Sequence, residues 1–182
     1  LTYAEFRADN PVLENLFAIR LEPGALSLGG EQGAEVAYGE QVSASYFDVL
    51  GFVPSAGTFF RSGEENLSTP LRKVVLSHAY WQRRFGASPS AVGQSIVLNG
   101  AAFTIVGVGP DGFHGTTVLS PDLWLPMTAY VRGLPDETAL RQRQNQSYTM
   151  TARLKPGVSI AQAQAYATTF MRGLEEQYPE AY

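Results

Sequence analysis

Hydrophobic positions along the chain change period several times, and each change predicts an element. "TYAE", Thr2 to Glu5, has capping-box spacing, a hydroxyl followed three residues on by a carboxylate, so a first helix is expected there. Asn10–Pro11 interrupts it, and the three-residue spacing of Val12, Leu13 and Leu16 predicts a second short helical piece. From Phe17 to Leu21 ("FAIRL") the pattern alternates as in a strand. "EPGA" then turns the chain, and "LSL", Leu26 to Leu28, is expected to return as its hairpin partner. Glu35 to Ser45 reads as a third strand, and "SYFDVLG" as one helical turn capped by Ser45, boxed by Asp48 and ended by Gly51.

The second half carries clearer signals. Lys73 to Ser77 reads as a buried strand, with Ser77 capping the helix "HAYWQRRF", in which Trp81 and Phe85 share a face and Gly86 ends the run. Gln94 to Val108 predicts two strands about Asn99–Gly100, a turn pair that tolerates positive φ at both positions. "PDLWLPM" is extended, "LPDETALRQRQNQ" locally helical or loop, and Ser147 to Leu154 a last strand. After Pro156–Gly157, Ser159 and Gln162 form a capping box for a helix that Pro179 breaks. Ile160, Ala163, Ala167, Phe170, Met171, Leu174 and Tyr178 make its apolar stripe, and burying the four large members is expected to contribute roughly 1.5–3 kcal/mol each.

Strands interleaved with helices in 182 residues imply an α+β fold able to bury a core without staples. Cysteine is absent, which excludes disulfides, a thiolate nucleophile and Cys zinc sites. The net charge is −4, and the adjacent basic pairs are Arg72–Lys73 and Arg83–Arg84 alone, too few to neutralise a nucleic-acid backbone. No apolar run approaches the roughly 18 residues of a spanning helix. The chain starts at Leu1 without Met, which suggests a segment of something longer.

Candidate chemistry is sparse. "GVGPDG" places Gly107, Gly109 and Gly112 in the glycine spacing of dinucleotide-binding loops, after a good strand. The helix that should open on it is replaced by "FHGTTVLSPDLWLP", and Pro110 removes an amide that would face a phosphate, so the glycines read as a strand exit. Lys73 and Lys155, the two lysines, lie outside any phosphate-loop motif. His78 and His114 have no second histidine at ligand spacing, and Ser77–His78 lacks a nucleophile elbow, so Ser77 reads as a cap. Glu64–Glu65 with Asp48 or Asp111 would serve glycoside chemistry only if folded together, and reads as solvated. Trp81, Trp124, Phe59, Phe60 and Phe113 read as core before they read as a ligand cleft.

Taken in order, "VSASYFDVLGFVPSAGTFF", "VVLSHAYWQRRFG", "VGQSIVLNGAAFTIVGVGPDGFHG", "DLWLPM" and "RLKPGVSIAQAQA" resemble the MacB-type periplasmic core domain, most closely the version in large orphan permeases of the MacB/FtsX-like group. The resemblance covers about Glu35 to Ala165. It implies an ectodomain on the periplasmic face of the cytoplasmic membrane, between two transmembrane helices of an ABC-type permease. It further implies mixed sheets with packed helices in two lobes, a porter-like one at about 1–60 with 145–182 and an inserted β-rich one at about 61–144. Implied partners are the parent's transmembrane helices, an ATPase reached through the membrane and a periplasmic protein. No catalytic, cofactor or metal residue carries over, and no cofactor is implied. The two terminal helices should meet. Two rival readings stand beside this one: a stand-alone hydrolase or nucleotide-binding enzyme using Ser77, His78, His114 and the glycine loop, and a solute- or peptide-binding module.

Overall fold

In a computed structural model the described residues are 2–8, 10–29, 35–145 and 147–181. The elements run α1 (Thr2–Arg7), β1 (Leu13–Arg20), β2 (Gly24–Gly29), β3 (Glu35–Val42), α2 (Tyr46–Leu50), β4 (Ala56–Gly57), β5 (Lys73–Leu76), α3 (His78–Phe85), β6 (Ser95–Leu98), β7 (Ala101–Val108), β8 (Leu123–Pro126), α4 (Glu137–Arg141), β9 (Tyr148–Leu154) and α5 (Ile160–Gln177). This is the expected α+β class, with parallel and antiparallel pairs in one mixed sheet.

Pairing runs β2-β6-β7-β5-β8-β3, and β3 pairs back onto β2, so six strands close a circuit. Closure leaves those strands few free edges and gives them a common interior. Leu26, Leu28, Ala37, Val74, Leu76, Ile96, Leu98, Phe103, Ile105, Leu123 and Leu125 fill it, with every strand of the circuit contributing. Space inside is short at Gly39. A Cβ there would lie 2.5 Å from Leu26 Cδ1 and 3.0 Å from both Leu123 and Leu125. Because side chains alternate across a strand, Val75 and Trp124 point outward. They join a second cluster with Phe17, Ile19, Val42, Tyr46, Phe47 and Phe60, roofed by α2.

β1 and β9 extend the sheet beyond β3, paired antiparallel from Leu13↔Leu154 to Arg20↔Tyr148. The helical piece expected through Val12, Leu13 and Leu16 is instead the start of β1. Asn10 Oδ1 accepts the amides of Val12 (3.0 Å) and Leu13 (2.8 Å), turning the chain into the strand. A register shift between Leu13 and Asn15 then puts Leu13 and Leu16 on the buried side at helix-like spacing. The β1/β2 hairpin is also corrected. β2 pairs with β3 and β6, while β1 pairs with β3 and β9.

The β6/β7 hairpin forms in the expected register, Leu98↔Ala101, with φ of 45° at Asn99 and 84° at Gly100. Ser77 caps α3 by accepting the Tyr80 amide, and Ser159 with Gln162 closes the box on α5. Two other caps differ. Thr2 already lies within α1, so the cap expected of it is not seen among the described residues, and Glu5 turns to Arg143. Ser45 sits at the start of α2, but its hydroxyl donates to the Leu16 carbonyl (2.8 Å), and Asp48 accepts from Ser62 (3.4 Å). The α5 stripe is less covered than its periodicity predicts. Leu174 is buried, Phe170 and Met171 are half-buried and Ile160 is 78% exposed, so the burial contribution expected there is only partly realised.

Candidate functional site

The glycine pattern opens no helix. Gly107 lies inside β7, where β4 runs so close that a Cβ would collide with the Thr58 carbonyl oxygen. A Cβ at Gly109 would lie 3.0 Å from the Trp124 ring, and residues 113–122 hold only bends and irregular backbone. Without a helix N-terminus the loop has no focused set of free amides for a pyrophosphate.

The other flagged side chains are dispersed. Ser77 is buried, with its hydroxyl on the Tyr80 amide. His78 Nδ1 stands 3.1 Å from Asp111 Oδ1, and His114 is exposed. Lys73 pairs with Glu64 at 2.8 Å and Lys155 donates to the Asn10 carbonyl. Glu65 Oε2 turns inward to the Ala44 amide (2.8 Å), Asp48 accepts from Ser62 and Asp111 faces His78, so each of these carboxylates is directed to a partner of its own. Among the described residues no group of three or more His, Cys, Asp or Glu could hold a metal ion. Trp81 belongs to the barrel core, Trp124 and Phe60 to the outer cluster, and Phe59 and Phe113 pack against that cluster.

What sequence reasoning missed is the charge beneath this aromatic layer. Glu40 of β3 is fully buried, on the outward side with Trp124 as its cross-strand neighbour. The Trp124 indole N–H donates to Oε2 (3.1 Å) and the Thr117 hydroxyl to Oε1 (2.9 Å). Burial outweighs both bonds and pushes the carboxyl up to about 7. Thr117 belongs to the loop that leaves the glycines. Phe113 stacks on Trp124 (5.4 Å, 18°) and Thr116 meets the Tyr46 hydroxyl (3.3 Å), so three side chains tie this loop over Glu40. Its tip, Val118, is 99% exposed. No short window marks Glu40, which sits beside Gln41 in a strand of mixed polarity; which segment covers it depends on tertiary pairing.

The terminal helices meet through aromatic and ionic contacts. The Phe6 ring of α1 packs edge-on against Phe170 of α5 (4.8 Å) and lies 5.8 Å from Tyr166. Arg143, on the segment between α4 and β9, holds both Glu5 carboxylate oxygens at 2.6 Å and stacks its guanidinium 3.7 Å above Tyr178. This pairing holds the Glu5 carboxyl below its usual range, chiefly through the Arg143 hydrogen bonds. Such a bidentate clamp joins one chain end to the other. Among the described residues no helix is long and apolar enough to cross a membrane.

Comparison with known families matches residues 2–170 to the MacB-like periplasmic core domain. Solved structures of similar fold include the periplasmic region of MacB from Actinobacillus actinomycetemcomitans, with a TM-score of 0.65 and 18% identity over 95% of this chain and 72% of that one. The extracellular domain of the noncanonic ABC-type transporter YknZ from Gram-positive bacteria gives a TM-score of 0.63 and 13% identity over 98% of this chain and 82% of that one. No curated protein matches.

Proposed function

This chain belongs to the MacB-like periplasmic core domain family, and from that premise we propose that it transmits conformational change from a permease's membrane helices to a substrate or partner outside the cytoplasmic membrane. The observation that carries the reading is the junction of the chain's two ends. Phe6 against Phe170, with Arg143 gripping Glu5 and Tyr178, makes α1 and α5 one mechanical unit. β1 and β9 continue from those helices and pair with each other, and β1 meets β3 of the barrel at Ile19↔Val42. A displacement of the ends therefore has a hydrogen-bonded route to the barrel. Family membership implies an extracytoplasmic location and relatives that are permease domains rather than enzymes. The parent's membrane helices, an ATPase acting through them and a periplasmic protein are the proposed partners.

We also propose the two-part division at about 1–60 with 145–182 and about 61–144. The β1–β9 pairing supports the first part, and β2 and β3 cross from it into the barrel shared with the second. The enzyme reading is disfavoured by Ser77, whose hydroxyl is engaged as a helix cap.

Hydrogen exchange on the membrane-embedded parent, with and without hydrolysable ATP, tests the proposal. Protection should change in α1, α5, β1 and β9 together. An ectodomain whose amides all exchange identically in the two states refutes it.

A further inference from the structure

The loop that covers Glu40 is fastened by its side chains. Among the described residues no backbone-to-backbone hydrogen bond reaches residues 114–121. The fastenings are Phe113 on Trp124, Thr116 on the Tyr46 hydroxyl and Thr117 on Glu40. The loop backbone lies on the carboxylate itself, since a Cβ at Gly115 would stand 3.5 Å from Oε2. A segment with so few backbone bonds opens at lower cost than the strands around it.

Thr117 makes the fastening depend on a proton. Its hydroxyl lies 2.9 Å from Glu40 Oε1 and 3.1 Å from the Leu119 carbonyl oxygen, and its one hydrogen cannot serve both fully. A neutral Glu40 supplies the missing hydrogen: the carboxyl donates to Thr117 Oγ1, and Thr117 donates to Leu119. An ionised Glu40 only accepts. It takes the Thr117 hydrogen from Leu119 and holds a charge that water reaches when the loop lifts. Other titratable groups surround the loop. Burial holds the Tyr46 hydroxyl of α2 well above its usual range, and Asp48 of α2 accepts from Ser62. Asp111 faces His78, Asp122 holds Arg83, and His114 is exposed.

We propose that residues 113–121 act as a proton-operated strap, closed over Trp124 while Glu40 is neutral and freed to lift when Glu40 ionises. The covered carboxyl is raised to about 7, and one uncovered by lifting returns toward the ordinary 4.5, so the closed form holds the proton more tightly. The lifted fraction therefore grows as pH rises between those values, about tenfold per unit and about 300-fold in all, and then levels off. The strap is independent of whether the domain transmits motion.

Hydrogen exchange at the Trp124 indole N–H tests it, because that group bonds Glu40 Oε2 beneath the strap. NMR from pH 4.5 to 8, corrected for the intrinsic exchange rate, gives the opening equilibrium. Opening should be more frequent than global unfolding, measured by the slowest amides of β5 and β7, and should rise about 300-fold across the window. Glu40→Gln should flatten the rise. The double variant His78→Asn/His114→Asn should keep it, which separates Glu40 from histidine, the other side chain that changes charge near neutrality. Thr117→Val leaves Glu40 and Trp124 in place and should raise the opening at pH 4.5 about tenfold. Exchange of Trp124 only through global unfolding, an opening that does not change with pH, a rise that survives Glu40→Gln or is lost in the histidine variant, or unchanged opening in Thr117→Val would each overturn the proposal.

Discussion

Replacing Glu40 by Gln should stabilise the fold above neutral pH and leave it nearly unchanged in acid. The Glu40 carboxyl is raised from 4.5 to about 7 in the folded protein because burial disfavours its charge. At pH 4.5 and below, folded and unfolded chains both hold the proton, and the group adds no penalty. Between 4.5 and 7 the unfolded chain releases its proton while the folded one keeps it, so stability falls as pH rises. Above 7 both are ionised and the full penalty persists. At about 1.4 kcal/mol per pH unit, the shift corresponds to about 3 kcal/mol, an order-of-magnitude figure. Gln carries no charge, and its amide can accept from Trp124 and donate to Thr117, preserving the tie to the loop. Urea unfolding of both proteins from pH 4.5 to 8.5 measures the effect. The difference in stability should grow in the variant's favour through that window and then level off. A difference that stays constant with pH, or one that favours Glu40 at pH 8, refutes the reasoning.

Three further outcomes follow from packing and capping. Ser77→Ala removes the acceptor for the Tyr80 amide at the start of α3 and should cost about 1 kcal/mol in urea unfolding, with Asp retaining most of the stability. Gly39→Ala forces a methyl group against Leu26, Leu123 and Leu125 inside the barrel and should cost about 1–3 kcal/mol; an unchanged thermal midpoint would contradict the packing described. On α5, Leu174→Ala should destabilise by about 2 kcal/mol or more, whereas Ile160→Ala should stay within about 0.5 kcal/mol, and equal losses would mean that the whole stripe is buried.

Local chemistry was legible in the sequence where it decides structure by itself. Asn99–Gly100 set the β6/β7 register because both turn positions need positive φ. Ser77 and the Ser159–Gln162 box fixed two helix starts for the same local reason. Leu13 and Leu16 misled because a bulge in a strand can bury residues three apart. The barrel was not legible, since β2 finds β6 across about 70 positions of chain and no short window records that pairing. Glu40 was missed for a related reason: burial of a carboxylate depends on which distant loop comes to rest on it.

The claim that tests most directly is that the barrel faces the outside of the cytoplasmic membrane. The chain contains no cysteine, so a thiol introduced as Val118→Cys at the exposed loop tip adds a single reporter to this domain of the parent. In spheroplasts with a sealed cytoplasmic membrane, a membrane-impermeant maleimide should label that thiol fully before lysis. Labelling that appears only after the membrane is opened would contradict the account.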